Sequence, residues 1–150
     1  MNCLASNRKV MIQQLEGSCR AHGLALTVQR RVIMESLAER TDHPTADQLY
    51  ETVRTRLRGI SRTTVYRVLE TLVGIGAVQK ISNPEAKARF DADTARHHHL
   101  YCVGCQKIHD VHDPSLNDLV LPPDRLAGFS VTDFSIQFSG LCPDCNSLHQ

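Results

Sequence analysis

A chain of 150 residues, 41% hydrophobic and 22% charged, has the make-up of a soluble globular protein with one ordinary domain or two small ones. No apolar run approaches the roughly 20 residues that a membrane-spanning helix needs, and residues 1–10 lack the apolar core of a secretory signal, so a cytoplasmic protein is expected. The net charge of +1 hides an asymmetry: residues 1–90 carry 14 Lys/Arg against 8 Asp/Glu, and residues 91–150 carry 3 against 8. The basic front favours a polyanionic partner. The acidic back also holds six of the eight histidines and four of the six cysteines, a composition that favours cations.

Four helices are predicted in the front half. The first covers about residues 7–22, with Val10, Met11, Leu15 and Cys19 on one face and Gly23 as its stop. Thr27 caps the second, which buries Val32, Ile33 and Leu37. Pro44-Thr45 opens the third. Thr45 and Gln48 have capping-box spacing, in which each side chain satisfies an orphan backbone N–H, and Leu49, Val53 and Leu57 follow at helical spacing. The fourth is SRTTVYRVLETLVGIG, capped by Ser61, with a buried stripe of Val65, Leu69, Leu72 and Val73 and an end at Gly74 and Gly76.

Arg62, Thr63, Thr64, Tyr66 and Arg67 lie mostly off that stripe, near the start of the fourth helix. A recognition helix presents such a set to the major groove, and Arg30 is a further candidate DNA contact. AVQKIS and KARFDA then read as two strands separated by the turn 83–86. Helices followed by a hairpin make a winged helix-turn-helix, with Lys80, Lys87 and Arg89 placing positive charge on the wing.

In the back half, Cys102-x-x-Cys105 is matched by Cys142-x-x-Cys145, 37 residues after the first pair. Four thiolates are a common structural zinc set, and a small domain with a marginal core gains from such a staple. Cys3 is read as a terminal residue without a role and Cys19 as a packed position. HHLYC and KIHDV form a hairpin around the first knuckle, SLNDLVL a short helix stopped by Pro122-Pro123, and FSVTDFSIQFSG a strand with Phe134, Ile136 and Phe138 on one face. In an extended segment His97 and His99 point one way and His98 the other. Two imidazoles so spaced can hold one ion, with the rest of the shell from elsewhere: Asp110, Asp91 and His43 are all available. His22, His98, His109, His112 and His149 are expected to be solvated bystanders.

DHPTADQLY, SRTTVYRVLETL, ARFD, HHHLYCVGC and GLCPDC together resemble, in their order, the ferric uptake regulator family, over about residues 15–145. The resemblance implies an α+β protein: a winged-helix DNA-binding domain, 1–91, with the hinge at its end, and a small α/β dimerisation domain, 92–150, with a four-cysteine zinc site. It implies that His43, Asp91, His97, His99 and Asp110 share one regulatory ion, a ligand set closest to the peroxide-sensing branch. Arg96 and Phe134 stand where some iron and zinc sensors place histidines of an additional site, and Ala25 where many relatives carry a basic residue. A shell of three imidazoles and two carboxylates suits Fe(II) or Mn(II).

The expected function is therefore a homodimeric, metal-dependent repressor of operator DNA, sensing peroxide through Fe(II)-driven oxidation of a ligand histidine. An iron- or zinc-uptake repressor on the same scaffold is the alternative. A metal hydrolase lacks a general base and a substrate pocket, so no small-molecule substrate and no enzyme activity are expected. A thiol redox sensor would use the Cys pairs reversibly.

Overall fold

The computed structural model describes residues 3–83 and 86–148, and the chain divides into two units, Met1–Thr94 and Ala95–Gln150. Pro84 and Glu85 of the expected turn, His149, and the side chain of Cys3 lie outside the described residues.

Caps and glycines set the helix limits of the front unit. Helix α1, Cys3–Ala21, begins earlier than expected and ends where Gly23 takes φ +67° and Leu24 N–H returns to the Cys19 carbonyl at 2.9 Å. Its buried line is Leu15 and Cys19, with Met11 and Ile12 partly covered. Val10, expected on that face, is 47% exposed. Five residues from Leu15 is well past one turn, so Val10 points away from the line that Met11, Leu15 and Cys19 share.

Helix α2, Val28–Ala38, starts where the Thr27 side chain accepts from Arg30 N–H at 3.2 Å. It buries Ile33, Met34 and Leu37, with Val32 only half-covered. Helix α3, Ala46–Arg56, carries the full capping box, with Thr45 N–H donating to Gln48 Oε1 at 2.9 Å and Gln48 N–H to Thr45 Oγ1 at 3.2 Å. Helix α4, Arg62–Gly74, is capped by Ser61 and ends at Gly76, φ +71°. Val65, Val68, Leu69 and Leu72 join Leu49 and Val53 in one core.

Strands β1, Gln79–Asn83, and β2, Ala86–Asp91, form the antiparallel wing, pairing Gln79 with Asp91 and Ile81 with Arg89. The other edge of β2 is also used: Phe90 N–H donates to the Pro44 carbonyl at 3.0 Å, and Thr45 bridges Arg89. That contact fixes the loop before α3.

The back unit is a three-stranded sheet in the order β4-β3-β5. Strand β3, His98–Cys102, pairs antiparallel with β4, Ile108–Val111, and parallel with β5, Gln137–Gly140. A short helix α5, Pro143–Ser147, follows the second cysteine knuckle.

Two expectations fail here. The helix expected over residues 115–121 is a single 3-10 turn, Pro114–Leu116, capped by Asp113, and residues 119–121 are irregular and exposed. Seven residues ahead of two prolines do not repay the cost of helix nucleation without a packed face. The long strand over 129–140 pairs only at its end, because β3 offers a partner edge of five residues; Phe138 is 43% exposed. Among the described residues, no helix is long and apolar enough to cross a membrane.

Thr45→Ala removes one acceptor of the capping box and should cost about 1 kcal/mol of stability in urea unfolding. Val10→Ala, off the buried line, should change it by less than about 0.5 kcal/mol.

Candidate metal centres

Two knuckles in the back unit bring the four sulfurs of Cys102, Cys105, Cys142 and Cys145 within 4.8 Å of one another. The β3–β4 turn carries the first pair. Gln106, at φ +62°, turns the chain so that its N–H reaches the Cys102 carbonyl at 2.8 Å. Gly104 leaves room for the cluster: a Cβ there would crowd Cys145, lying 3.0 Å from its Sγ. Cys105 Sγ and Cys142 Sγ are 3.7 Å apart. A tetrahedral zinc with bonds of about 2.3 Å spaces its sulfurs by about 3.8 Å, so the cluster fits zinc. No cysteine among those whose side chains are described forms a disulfide.

The electrostatics already suit a cation. Backbone N–H groups of Cys105 and Cys142 point at Cys102, the latter at 3.3 Å, and push its thiol down to about 6. Cys145 is pushed up to about 12, chiefly through hydrogen bonding to Cys142 and Cys105. A metal binds these sulfurs as thiolates, so loading the cluster releases protons.

Nitrogen and oxygen donors gather separately. In the back unit, His97 Nε2 and His99 Nε2 are 3.1 Å apart, and Asp110 Oδ1 lies 3.5 and 3.7 Å from them. The strand register explains this: His99 sits directly across from Asp110 in the β3–β4 pair, and His97 shares the face of His99. His97 Nδ1–H donates to the Ala95 carbonyl at 2.7 Å, which fixes the tautomer and leaves Nε2 as the donor atom for a metal. Ligand atoms on adjacent corners of an octahedron with bonds of about 2.1 Å lie about 3.0 Å apart, close to these spacings.

In the front unit, His43 and Asp91 come together. His43 Nε2–H donates to Asp91 Oδ2 at 3.1 Å, both side chains being buried. His43 holds φ +51°, a left-handed conformation disfavoured for a side chain, and more so before proline. Arg89, from β2, holds it by donating to the His43 carbonyl at 3.0 Å. Strain of this kind costs on the order of 1–3 kcal/mol and concentrates at functional positions.

His98, expected to be solvated, is fully buried. Its Nδ1 accepts from Ile136 N–H at 3.2 Å and its Nε2–H donates to Asn117 Oδ1 at 3.1 Å. Facing opposite to His97 and His99, it points into the unit, where a buried ring needs both of these hydrogen bonds. His22 and His109 are exposed, as expected; His112 is exposed too, but its ring centroid lies 5.2 Å from that of His97. Arg96 and Phe134 stack on each other at 4.8 Å, and Asp133 binds the Arg96 guanidinium at 2.5 Å.

The expected DNA contacts are only partly free. Thr63, Tyr66 and Arg67 are exposed on α4. Thr64 is half-buried, and its hydroxyl bonds that of the capping Ser61 at 2.8 Å. Arg62 is ion-paired to Asp47, and Arg30 folds back onto the Ala25 carbonyl. The wing cations are engaged as well: Lys80 by Glu70 at 2.7 Å, Lys87 by Asp47 at 2.8 Å, and Arg89 by His43. Gly104 was visible within the first knuckle but not singled out from the sequence. Asn117 and Asp47 carry no motif; their roles depend on which segments fold against them.

A family model described as "Ferric uptake regulator family" matches residues 21–139. The chain is 32% identical over 134 residues, 89% of each chain, to the peroxide-responsive repressor PerR of Staphylococcus epidermidis. It is 32% identical over 145 residues to the PerR of Staphylococcus saprophyticus, covering 95% of this chain and 98% of that one. Among solved structures, PerR from Streptococcus pyogenes matches with a TM-score of 0.51 and 27% identity, over 89% of this chain and 92% of that one. The Helicobacter pylori ferric uptake regulator Fur, at a TM-score of 0.72 and 19% identity over 93% of each chain, shares the fold.

Replacing Cys142 with Ser should abolish stoichiometric zinc and collapse the amide spectrum of the back unit, while the signals of the front unit stay dispersed. Structural zinc contributes on the order of 10 kcal/mol in small zinc domains, more than such a unit can spare. Metal analysis and two-dimensional NMR of the full chain check it.

Proposed function

The chain belongs to the ferric uptake regulator family, and from that premise we propose that it is a homodimeric, metal-dependent repressor of operator DNA that peroxide inactivates. Two preassembled nitrogen and oxygen ligand sets, separate from the tetrathiolate, carry the reading. His43 and Asp91 belong to one unit; His97, His99 and Asp110 belong to the other. One divalent ion ligated by all five restrains the two units against each other. In a dimer this sets the separation of two α4 helices, which must match half-sites about 34–36 Å apart on one face of DNA.

Soft sulfur and hard nitrogen and oxygen donors divide the work. The cysteines select zinc and keep the back unit folded in every state. The His/Asp set suits Fe(II) or Mn(II). An Fe(II) held by His43, Asp91, His97, His99 and Asp110 would supply the chemistry that cleaves a peroxide O–O bond, one oxygen passing to a ligand ring carbon and the other leaving as water. The protein decides which ring is oxidised. His43 and His97 are the rings expected to take the oxygen; the Ala95 carbonyl turns His97 so that its Nε2 faces His99 and Asp110. An oxidised ring is a poorer donor, so the restraint between the units is lost. Metal and DNA must each tighten the other's binding by the same factor. The action is regulatory, on DNA in the cytoplasm, with no small-molecule substrate turned over. Similarity to peroxide-responsive repressors favours this over a metal-uptake repressor on the same scaffold.

The test is a DNA-binding titration with Fe(II), Mn(II) and Zn(II), then peroxide, then intact-mass and peptide analysis. One added oxygen on His43 or His97 is expected in the Fe(II) sample alone, together with loss of DNA binding. His97→Ala should weaken metal-activated DNA binding about tenfold or more, while the dimer and its tetrathiolate zinc persist. Metal-activated binding that peroxide leaves intact would select the uptake repressor instead, and an unchanged metal response in His97→Ala would overturn the site.

A further inference from the structure

Asp47 lies in the first turn of α3, yet its carboxylate serves two other elements. Oδ1 accepts from Nη1 of Arg62, the first residue of α4. Oδ2 accepts from Lys87 Nζ, on wing strand β2, at 2.8 Å. Arg62 is held on two further sides. Its guanidinium lies 4.6 Å from the centroid of the Tyr50 ring, and its Nη2 is 3.5 Å from Glu51 Oε1. The Arg62 side chain nevertheless stays 53% exposed. The Arg62 and Lys87 bonds hold the Asp47 carboxyl below its usual range, and both cations are held above theirs.

Exposed ion pairs add little to stability, so the cluster has small value as a brace. Its effect on DNA binding is larger, in two ways. A free arginine loses side-chain freedom when it docks on a base; one already held in place loses less. The carboxylate also offsets cationic charge that would otherwise bind any phosphate backbone. Both effects favour selectivity over bulk affinity. Resting on the reading of α4 as the DNA-reading helix, we propose that Asp47 is a positioning residue for base recognition. It sets the orientation in which Arg62 meets the groove and ties the recognition helix to the wing through Lys87, so that base sequence outweighs backbone charge.

The experiment selects duplexes from a library randomised over a central segment, using metal-loaded full-length protein. Wild type, Asp47→Asn, Asp47→Glu and Arg62→Ala are compared, each checked for an unchanged melting temperature. Asp47→Asn should retain more scrambled duplex than wild type. Its preference for the selected over the scrambled duplex should fall about tenfold, within the range of one lost bidentate base contact. The base positions that lose definition should be those lost in Arg62→Ala, and Asp47→Glu should recover most of them. Asp47→Asn selecting the wild-type sequences with undiminished preference overturns the role of Asp47. So does loss at positions that Arg62→Ala leaves untouched. A wild type that retains no duplex with any metal overturns the repressor reading itself, a result distinguishable from either.

Discussion

The outer edge of the wing strand governs how the front unit presents its ligands. β2 pairs with β1 on one side; on the other it pairs with the three residues that precede α3, through the Phe90 to Pro44 bond and the Arg89 to His43 bond. That second pairing forces His43 into a left-handed conformation and sets its ring against Asp91, two residues beyond Arg89 on the same strand. A loop left to itself would relax. The strand, anchored in the core by Phe90, keeps the strain in place.

The back unit solves a different problem. It has few buried apolar side chains and many exposed ones, including Val120 and Phe129, so its own core is thin. Four sulfurs compensate by joining the end of the chain to the turn after β3. The same strand then carries two functions. Cys102 at its end belongs to the sulfur cluster, while His99 near its start faces Asp110. Rigidity from the soft site thereby reaches the hard one along a few residues of extended backbone, without the two sharing a ligand.

Much of this was legible in the sequence because local rules dominate. The caps at Thr27, Thr45 and Ser61 each have a nearby backbone partner, and the side-chain period of a strand places His97 and His99 on one face whatever else surrounds them. What escaped depended on contacts remote in sequence. His98 looked like a solvated neighbour because nothing local announces Asn117 or the backbone at Ile136 as its partners. The segment 115–121 looked helical by composition, but helicity there needed a packed face that the unit lacks. The wing cations carried no sign of their partners, because the acids that hold them, Asp47 and Glu70, sit on helices outside the hairpin, Asp47 forty residues before Lys87.

The alternation within β3 has a consequence for how this segment can change over time. His98 is bonded inside the unit while its two neighbours face the opposite way. A strand of this kind has parity: gaining or losing one residue ahead of the cysteine knuckle would exchange the two faces. Ligands would then enter a closed interior, and the structural histidine would be offered to the ion in their place. The length of this strand is therefore constrained as firmly as its chemistry.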